Sequence, residues 1–384
     1  MSISFLQTEV PKLMTKPRLD AIEYIRGISM LGVIGIHVGS QYLSNPTPNA
    51  ELVALFEIAT RFSVPIFFFI SAFGLFYHLD LNAPFSYIDF MKRRFKTVLV
   101  PYLVWSFFYI MHYTLLYHDT MLLRPGVALY YLFFGFASYQ LYFMVILLWF
   151  YLLMPLWIAM LRLATPTNLG LLLIVQIAFD YWSSFVFNPY GIENWLLKTF
   201  MVNRLNYWVM HYVFVFLLGG WLAINFKAFM HFMEKRRTEI IVFFWASLAG
   251  ILGYYYYLLG YKHYTAIEAI NTAHQLCPVG IIYTIAASLF FFTIFTYQRY
   301  PKSLNPLLSL LGRHSYFAYL AHPVVITYLS MLVDRSGRIM TAPLALAFYI
   351  VVAVLAITGA VIVLRIGNHF PIINELTIGV YSKK

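Results

Sequence analysis

Three ionisable side chains lie in one apolar stretch near the start of the chain. Glu23, Arg26 and His37 all fall within residues 20–42, the first predicted membrane span. An ionisable group inside a span costs about 2.5–3.5 kcal/mol on insertion scales, so each is a candidate functional residue. A guanidinium stays protonated, whereas an imidazole titrates near neutral pH and can act as a base. The residue types therefore favour a cationic anchor at Arg26 and a titratable group at His37.

The spacing of Arg26 and His37 predicts that they share one face of a helix. The separation of 11 positions from Arg26 to His37 turns the helix by about 1100°, or three turns plus roughly 20°, and raises it by about 16.5 Å. Ionisable side chains at two depths on one helix face favour an internal channel. The structural alternatives are an Arg26 that snorkels to the interface and a His37 that is a hydrogen-bonded packing residue. Glu23 is expected to pair with Arg26. Three glycines lie between Arg26 and His37, at Gly27, Gly32 and Gly35. Their lack of side chains would let another helix or a ligand approach the predicted helix here.

Other predicted spans also carry ionisable side chains, and the sequence allows more than one role for each. Glu57 and Arg61 form an i, i+4 pair that either fixes helix register or places Arg61 at a substrate. Asp180 requires a partner or a water molecule. The histidines in or near spans are structural groups or substrate contacts, namely His112, His211 and His322. The basic clusters at Lys92 to Lys96 and Lys235 to Arg237 either reflect the membrane's preference for positive charge inside or dock an anionic ligand.

Membrane-spanning helices must position these residues. Of the 384 residues, 61% are apolar and 11% are charged, against roughly 45–50% and about 25% in soluble domains. This composition excludes a soluble globule and predicts an all-α, polytopic membrane bundle of about ten transmembrane helices. The predicted spans are 20–42, 52–77, 97–117, 140–164, 168–187, 206–226, 240–259, 276–297, 311–333 and 343–367. Residues 1–19 and 368–384 are expected to be cytoplasmic segments that flank a transmembrane domain at 20–367.

The same patterns exclude several other classes of protein. Continuous apolar runs do not fit a β-barrel, whose strands alternate apolar and polar residues. The single cysteine, Cys277, excludes an internal disulfide, and no cleavable signal is expected. The apolar segment from Val127 to Ala137 is too short to cross and should lie at the interface or re-enter. Since few residues remain outside the spans, the helices and their short loops are expected to carry any chemistry.

Lysine and arginine counts give an orientation for the bundle. If the N-terminus is inside, the inner loops hold 18 of these residues and the outer loops six. Cytoplasmic loops carry the excess, so both termini are predicted to be cytoplasmic. The formal net charge of +11 follows mostly from this asymmetry. No nucleic-acid partner is therefore required.

Several segments together resemble the acyltransferase-3 family of membrane-bound acyltransferases. Arg26 and His37 match its arginine, ten residues, histidine signature, within LDAIEYIRGISMLGVIGIHV. Four later segments follow in family order, namely SVPIFFFISAFGLF (63–76), KRRFKTVLVPYLVWS (92–106), YQLYFMVILLWFYLLMP (139–155) and LGRHSYFAYLAHP (311–323). The chain departs from the family pattern at Ala72, Gln140 and Tyr142. These departures bear on the donor and acceptor details rather than on the reaction class.

The resemblance implies transfer of an acyl group, usually acetyl, from cytoplasmic acyl-CoA to a hydroxyl of an envelope or exported glycan or glycolipid. Such a transfer needs a base and donors for the developing oxyanion. The resemblance implies His37 as the general base, with an acyl-histidine as a variant. Arg26 is expected to hold a CoA phosphate or the thioester region, or to order the channel through Glu23. Substrate contacts are expected at Glu23, Arg61, Ser71, Ser315, Tyr319 and His322. CoA contacts are expected at Lys92, Arg93 and Arg94, and no metal is expected.

The resemblance also bears on partners and location. Expected partners are membrane lipids and the glycan or glycolipid acceptor. Some relatives carry a fused extracytoplasmic hydrolase-like domain that completes transfer; this chain either acylates its acceptor directly or passes the acyl group to a separate extracytoplasmic protein. The expected location is the bacterial cytoplasmic membrane. A polysaccharide or lipid-linked sugar exporter is the main alternative, and a structural or sensory bundle is another.

Overall fold

The computed structural model describes residues 18–42 and 50–381, and every regular element in these ranges is helical. The α-helices are α1 (Asp20–Tyr42), α2 (Ala50–Thr60), α3 (Ser63–Tyr77), α4 (Tyr87–Arg94), α5 (Val100–Tyr117), α6 (Pro125–Phe134), α7 (Tyr142–Leu152), α8 (Met154–Arg162), α9 (Pro166–Tyr181), α10 (Trp195–Val202), α11 (Val213–Ile224), α12 (Phe226–Lys235), α13 (Arg237–Gly260), α14 (Ala266–Thr272), α15 (Pro278–Thr296), α16 (Asn305–Arg335), α17 (Ala342–His369) and α18 (Pro371–Ile378).

The helices confirm the predicted polytopic bundle. Eight helical segments of the described chain are long and apolar enough to cross a membrane, and two bent pairs raise the count to as many as ten. The pairs are α7 with α8, bent by 62°, and α11 with α12, bent by 97°. Pro155 lies in the first turn of α8, where its missing N–H cannot continue the hydrogen bonding of α7. The predicted short apolar segment forms α6, whose ten residues cannot span the bilayer.

Helix α1 is the element around which the candidate site is arranged. It packs against α2, α3, α15, α16 and α17. Its closest approach to α16 depends on two glycines. A Cβ at Gly27 would lie 2.8 Å from the Cβ of Leu311, and one at Gly312 would lie 2.3 Å from the carbonyl oxygen of Glu23. Small residues at such contacts let membrane helices approach closely, so these glycines bring α16 against the first span.

Helix α5 and the end of the chain close one side of the bundle. A π-helical segment, Phe95–Leu99, joins α4 to α5. Trp105 Nε1 donates to the carbonyl of Thr377, 3.0 Å away, and so fixes α18 against α5. Gly379 has a φ of +66°, and a Cβ there would lie 2.4 Å from the carbonyl oxygen of Thr97. The segment after α17 is therefore folded onto the bundle, and α18 packs on both α5 and α17.

Candidate functional site

Three cavities follow one another along α1. Cavity A is about 460 Å³ and reaches Arg18, cavity B is about 360 Å³, and cavity C is about 170 Å³ and contains His37. Cavities A and B share lining residues Arg26, Ser71, Arg94 and Tyr151. Cavities B and C share Phe67, Phe143 and Tyr319. The predicted face of α1 therefore borders a series of adjacent cavities, with Arg26 and His37 at different depths.

Arg26 and Arg94 are two cations that face cavities A and B. In the described part of the chain, neither guanidinium forms an ion pair with a carboxylate. Arg26 is exposed and lines both of these cavities. The Arg94 guanidinium lies 5.0 Å from the ring centre of Tyr151 and 5.1 Å from that of Phe90, and its Nε is buried without a hydrogen-bond partner. Arginines aligned in this way can bind an anion, most readily a phosphate.

Glu23 does not pair with Arg26, contrary to the sequence-based expectation. Its carboxylate accepts a hydrogen bond from Arg18, another from Ser309 at 2.9 Å, and a third from Arg313 at 3.4 Å. Ser309 and Arg313 belong to α16, which the small residues of the α1–α16 contact bring alongside. Because Arg18 and two residues of α16 supply the partners of Glu23, Arg26 is left without an ion pair among the described residues.

His37 lies half-buried at the wall of cavity C. Its ring centre is 4.3 Å from that of Tyr139 and 5.3 Å from that of His322, and the two imidazole planes are inclined by 21°. His37 forms no hydrogen bond with another described residue, so its nitrogens are available to a ligand. The polar side chains that share the cavity are Ser40, Arg61, Gln140, Tyr142, Gln275 and Tyr319.

His322 is held in one tautomer by the helix that carries it. Pro323 has no N–H, so the carbonyl of Tyr319, four residues earlier, lacks its usual helical donor. His322 Nδ1 lies 2.7 Å from this carbonyl oxygen, and since a carbonyl only accepts, Nδ1 must carry the proton. In a neutral ring, Nε2 then bears the lone pair. Nε2 is fully buried and has no partner, so His322 presents a free acceptor beside His37.

Arg61 fits both of its alternatives. It pairs with Glu57, whose Oε1 also accepts a hydrogen bond from Ser40 at 3.3 Å. Arg61 also lines cavity C, and its Nε is buried without a partner. One side of the guanidinium thus fixes the register of the second span, while the rest faces the His37 cavity.

The structure brings most of the remaining candidates to the cavities and leaves two outside. Ser71 lines cavities A and B, Ser315 lines cavity B, and Tyr319 lines B and C. Ser315 Oγ also donates to the carbonyl of Gly312. Lys92 and Arg93 are exposed and line none of these three cavities. Among the three basic residues expected at CoA, only Arg94 borders the cavities.

Several residues that line the cavities were not predicted from the sequence. Arg313 and His314 line cavity B, and the sequence signal that could have identified them is that two ionisable residue types directly precede Ser315. No sequence signal marks Gln275 of cavity C, because this residue lies in a loop far along the chain. Phe67 and Phe143 could not be singled out among 36 phenylalanines.

Asp180 has the partner that its buried carboxylate requires. Its Oδ1 lies 2.7 Å from Nδ1 of His211, and its Oδ2 accepts from Gln176 at 2.9 Å. Gln176 also accepts from the backbone N–H of Phe214. This network joins α9 to α11 and lies outside cavities A, B and C. No group of three His, Cys, Asp or Glu side chains in the described chain is placed to hold a metal ion, so we assign no residue to a metal.

Comparison with known families gives one match over most of the chain. The acyltransferase-3 family model, described as an acyltransferase domain, matches residues 19–365. No curated protein and no solved structure matches the chain significantly.

Proposed function

Because the chain belongs to the acyltransferase-3 family and is thus a membrane acyltransferase, we propose that it acylates a hydroxyl of an envelope or exported glycan or glycolipid. The proposed donor is acyl-CoA, with acetyl-CoA as the simplest case. The proposed location is the bacterial cytoplasmic membrane, with both termini and cavity A on the cytoplasmic side. The acceptor is reached directly or through a separate extracytoplasmic protein.

One observation carries this proposal. Two arginines without carboxylate partners, Arg26 and Arg94, face cavities of about 460 and 360 Å³, and the next cavity contains a histidine with free nitrogens. Acyl-CoA has phosphates at one end and a thioester at the other. The arginines suit the phosphates, and the reaction requires a base at the thioester. The order of the cavities along α1 matches the order of groups along the donor.

His37 acts as the general base in the proposed reaction. It removes the proton of the acceptor hydroxyl as that oxygen attacks the thioester carbon, and the carbon–sulfur bond then breaks. His37 returns the proton to the departing sulfur, so the products are the ester and free CoA. His322 lies against His37, and its Nε2 can accept an N–H of His37, leaving the opposite nitrogen of His37 as the base. Arg61 and Tyr142 are the candidate donors to the oxyanion in cavity C.

The test measures both products of this reaction. Membrane vesicles from cells that produce the protein are supplied with acetyl-CoA, and released CoA thiol and acetylated envelope glycan are quantified by thiol assay and mass spectrometry. His37→Ala should lower the rate by about 100-fold or more, because a positioned base contributes at least that much. His112→Ala is the control, because His112 contacts Tyr328 and lines none of the three cavities.

Two results would contradict the proposal. Near-normal CoA release by His37→Ala would remove His37 from the chemistry. Wild-type vesicles that release no CoA but change the location of unmodified polymer would favour the exporter.

A further inference from the structure

Three aromatic rings form the boundary between cavities B and C. Phe67 of α3, Phe143 of α7 and Tyr319 of α16 are the lining residues that these two cavities share. The distances between ring centres are 5.7 Å for Phe67 and Phe143, 6.2 Å for Phe67 and Tyr319, and 5.7 Å for Phe143 and Tyr319. All three lie within the contact range of aromatic pairs. We call this group the aromatic triangle.

Two rings of the aromatic triangle are firmly held and one is less so. The Tyr319 hydroxyl donates to the carbonyl of Gln140, which joins α16 to the start of α7. Phe143 is 8% exposed and packs on Phe68 with a centroid distance of 4.6 Å. Phe67 is only half-buried. A group that crosses from B to C must therefore displace Phe67 or pass along it.

The proposed reaction requires such a crossing. The cationic side chains Arg26, Arg94 and Arg313 all border cavity B, whereas His37 lies in cavity C. A donor bound by its phosphates on the B side must therefore bring its acyl carbon to the aromatic triangle to meet a hydroxyl activated by His37. Cavity C, of about 170 Å³, must then hold both the acyl group and the acceptor hydroxyl.

We propose that the aromatic triangle sets the length of the acyl group and restricts the donor to short-chain acyl-CoA. This inference rests on the proposed function. Each added methylene must enter cavity C beside the acceptor or press against rings that already touch one another. Forcing extra methylenes into a packed site is unfavourable, so longer acyl groups are rejected at this point.

The first test needs no variant. Vesicles containing the wild-type protein are supplied separately with acetyl-, propionyl-, butyryl- and hexanoyl-CoA, and CoA release is followed in each case. We expect kcat/KM for butyryl-CoA to be at least about tenfold below that for acetyl-CoA. The KM for the acyl-CoA should change little with acyl length, because the phosphates bind on the B side in every donor.

The second test changes the rings. Phe67→Leu and Phe143→Leu each remove aromatic bulk and should reduce the acetyl-to-butyryl preference by about fivefold or more. Phe73→Leu is the matched control on α3, because Phe73 is buried against Phe292 and borders none of the three cavities. It should leave the preference unchanged.

The outcomes separate the two proposals. Equal use of acetyl- and butyryl-CoA by the wild-type protein would overturn the role of the aromatic triangle. An unchanged preference in both ring variants, with normal acetyl transfer, would do the same. Failure of the wild-type protein to release CoA from any donor would refute the proposed acyl transfer itself, and the length selection with it.

Discussion

Arg93 and Arg94 are neighbours in sequence with opposite surroundings. Arg93 is exposed, whereas Arg94 lies against the rings of Phe90 and Tyr151 and borders cavities A and B. A basic cluster read from sequence predicts the same role for each of its members. The packing of α4 and the π-helical segment against the bundle decides which one faces the cavities.

This contrast gives a residue-scale prediction about the donor. Arg94→Ala should raise the KM for acetyl-CoA by about tenfold or more, because hydrogen bonds to a charged group contribute about 1.5–3 kcal/mol. Arg93→Ala should leave that KM within about twofold, since exposed ion pairs contribute little. Initial rates across a range of acetyl-CoA concentrations measure both. An equal rise in the two variants would show that general positive charge, rather than the cavity position, binds the donor.

At the scale of one element, α16 lines cavities B and C and contacts residues of α1 that border the site. It supplies two of the three partners of Glu23, the Tyr319 ring between cavities B and C, and His322 beside His37. Pro323 makes the last of these arrangements possible, because it leaves the carbonyl of Tyr319 without its helical donor. The carbonyl of Tyr319 accepts from His322, and that of Leu320 accepts from Tyr109 at 2.6 Å and from Gln140 at 3.2 Å.

Two substitutions distinguish the roles of the two ring nitrogens of His322. His322→Asn keeps a donor near the Nδ1 position for the Tyr319 carbonyl but removes the acceptor at Nε2. His322→Gln places an amide oxygen near Nε2 and loses the short-range donor. If Nε2 positions His37, the Asn variant should lose about tenfold in kcat at a nearly unchanged KM for acetyl-CoA, and Gln should recover part of the rate.

A purely structural His322 predicts the reverse order. The Asn variant would then equal or exceed the Gln variant in both kcat and thermal stability in detergent. Measuring kcat, KM and the unfolding temperature of both variants therefore distinguishes a positioning role from helix support.

For the molecule as a whole, orientation decides whether the donor can reach the site. Arg93 and Arg94 are predicted to lie on the cytoplasmic side, and Arg94 borders cavity A. Acyl-CoA is a cytoplasmic metabolite in the proposed function. The proposed function therefore requires cavity A to open towards the cytoplasm, which is the side that the count of 18 against six lysines and arginines predicts.

Cysteine labelling tests this orientation directly. The only native cysteine, Cys277, is buried, so an introduced exposed cysteine should dominate labelling by a membrane-impermeant maleimide. In intact cells, Lys262→Cys should be labelled, and Arg93→Cys should be labelled only after permeabilisation. Both positions are exposed in the fold. Labelling of Arg93→Cys in intact cells would place the cationic cavities outside and remove access to cytoplasmic acyl-CoA.

The sequence by itself determined the features that depend on one helix or on composition. The ten candidate spans follow from apolar length, and the alignment of Arg26 with His37 follows from the regular turn of α1. Asp180 was recognised as needing a partner because any buried charge does.

Only the tertiary structure decided which helix faces which. In the folded chain Glu23 contacts residues of α16 and not Arg26, and Asp180 pairs with His211. Arg94 borders the cavities, whereas Arg93 does not. The physical reason is that membrane helices are apolar on nearly every side, so hydropathy carries little information about facing. Helix contacts in a membrane depend instead on close-packed small residues such as Gly27 and Gly312 and on polar contacts between distant segments. The aromatic triangle, drawn from three helices, exists only once those contacts have formed.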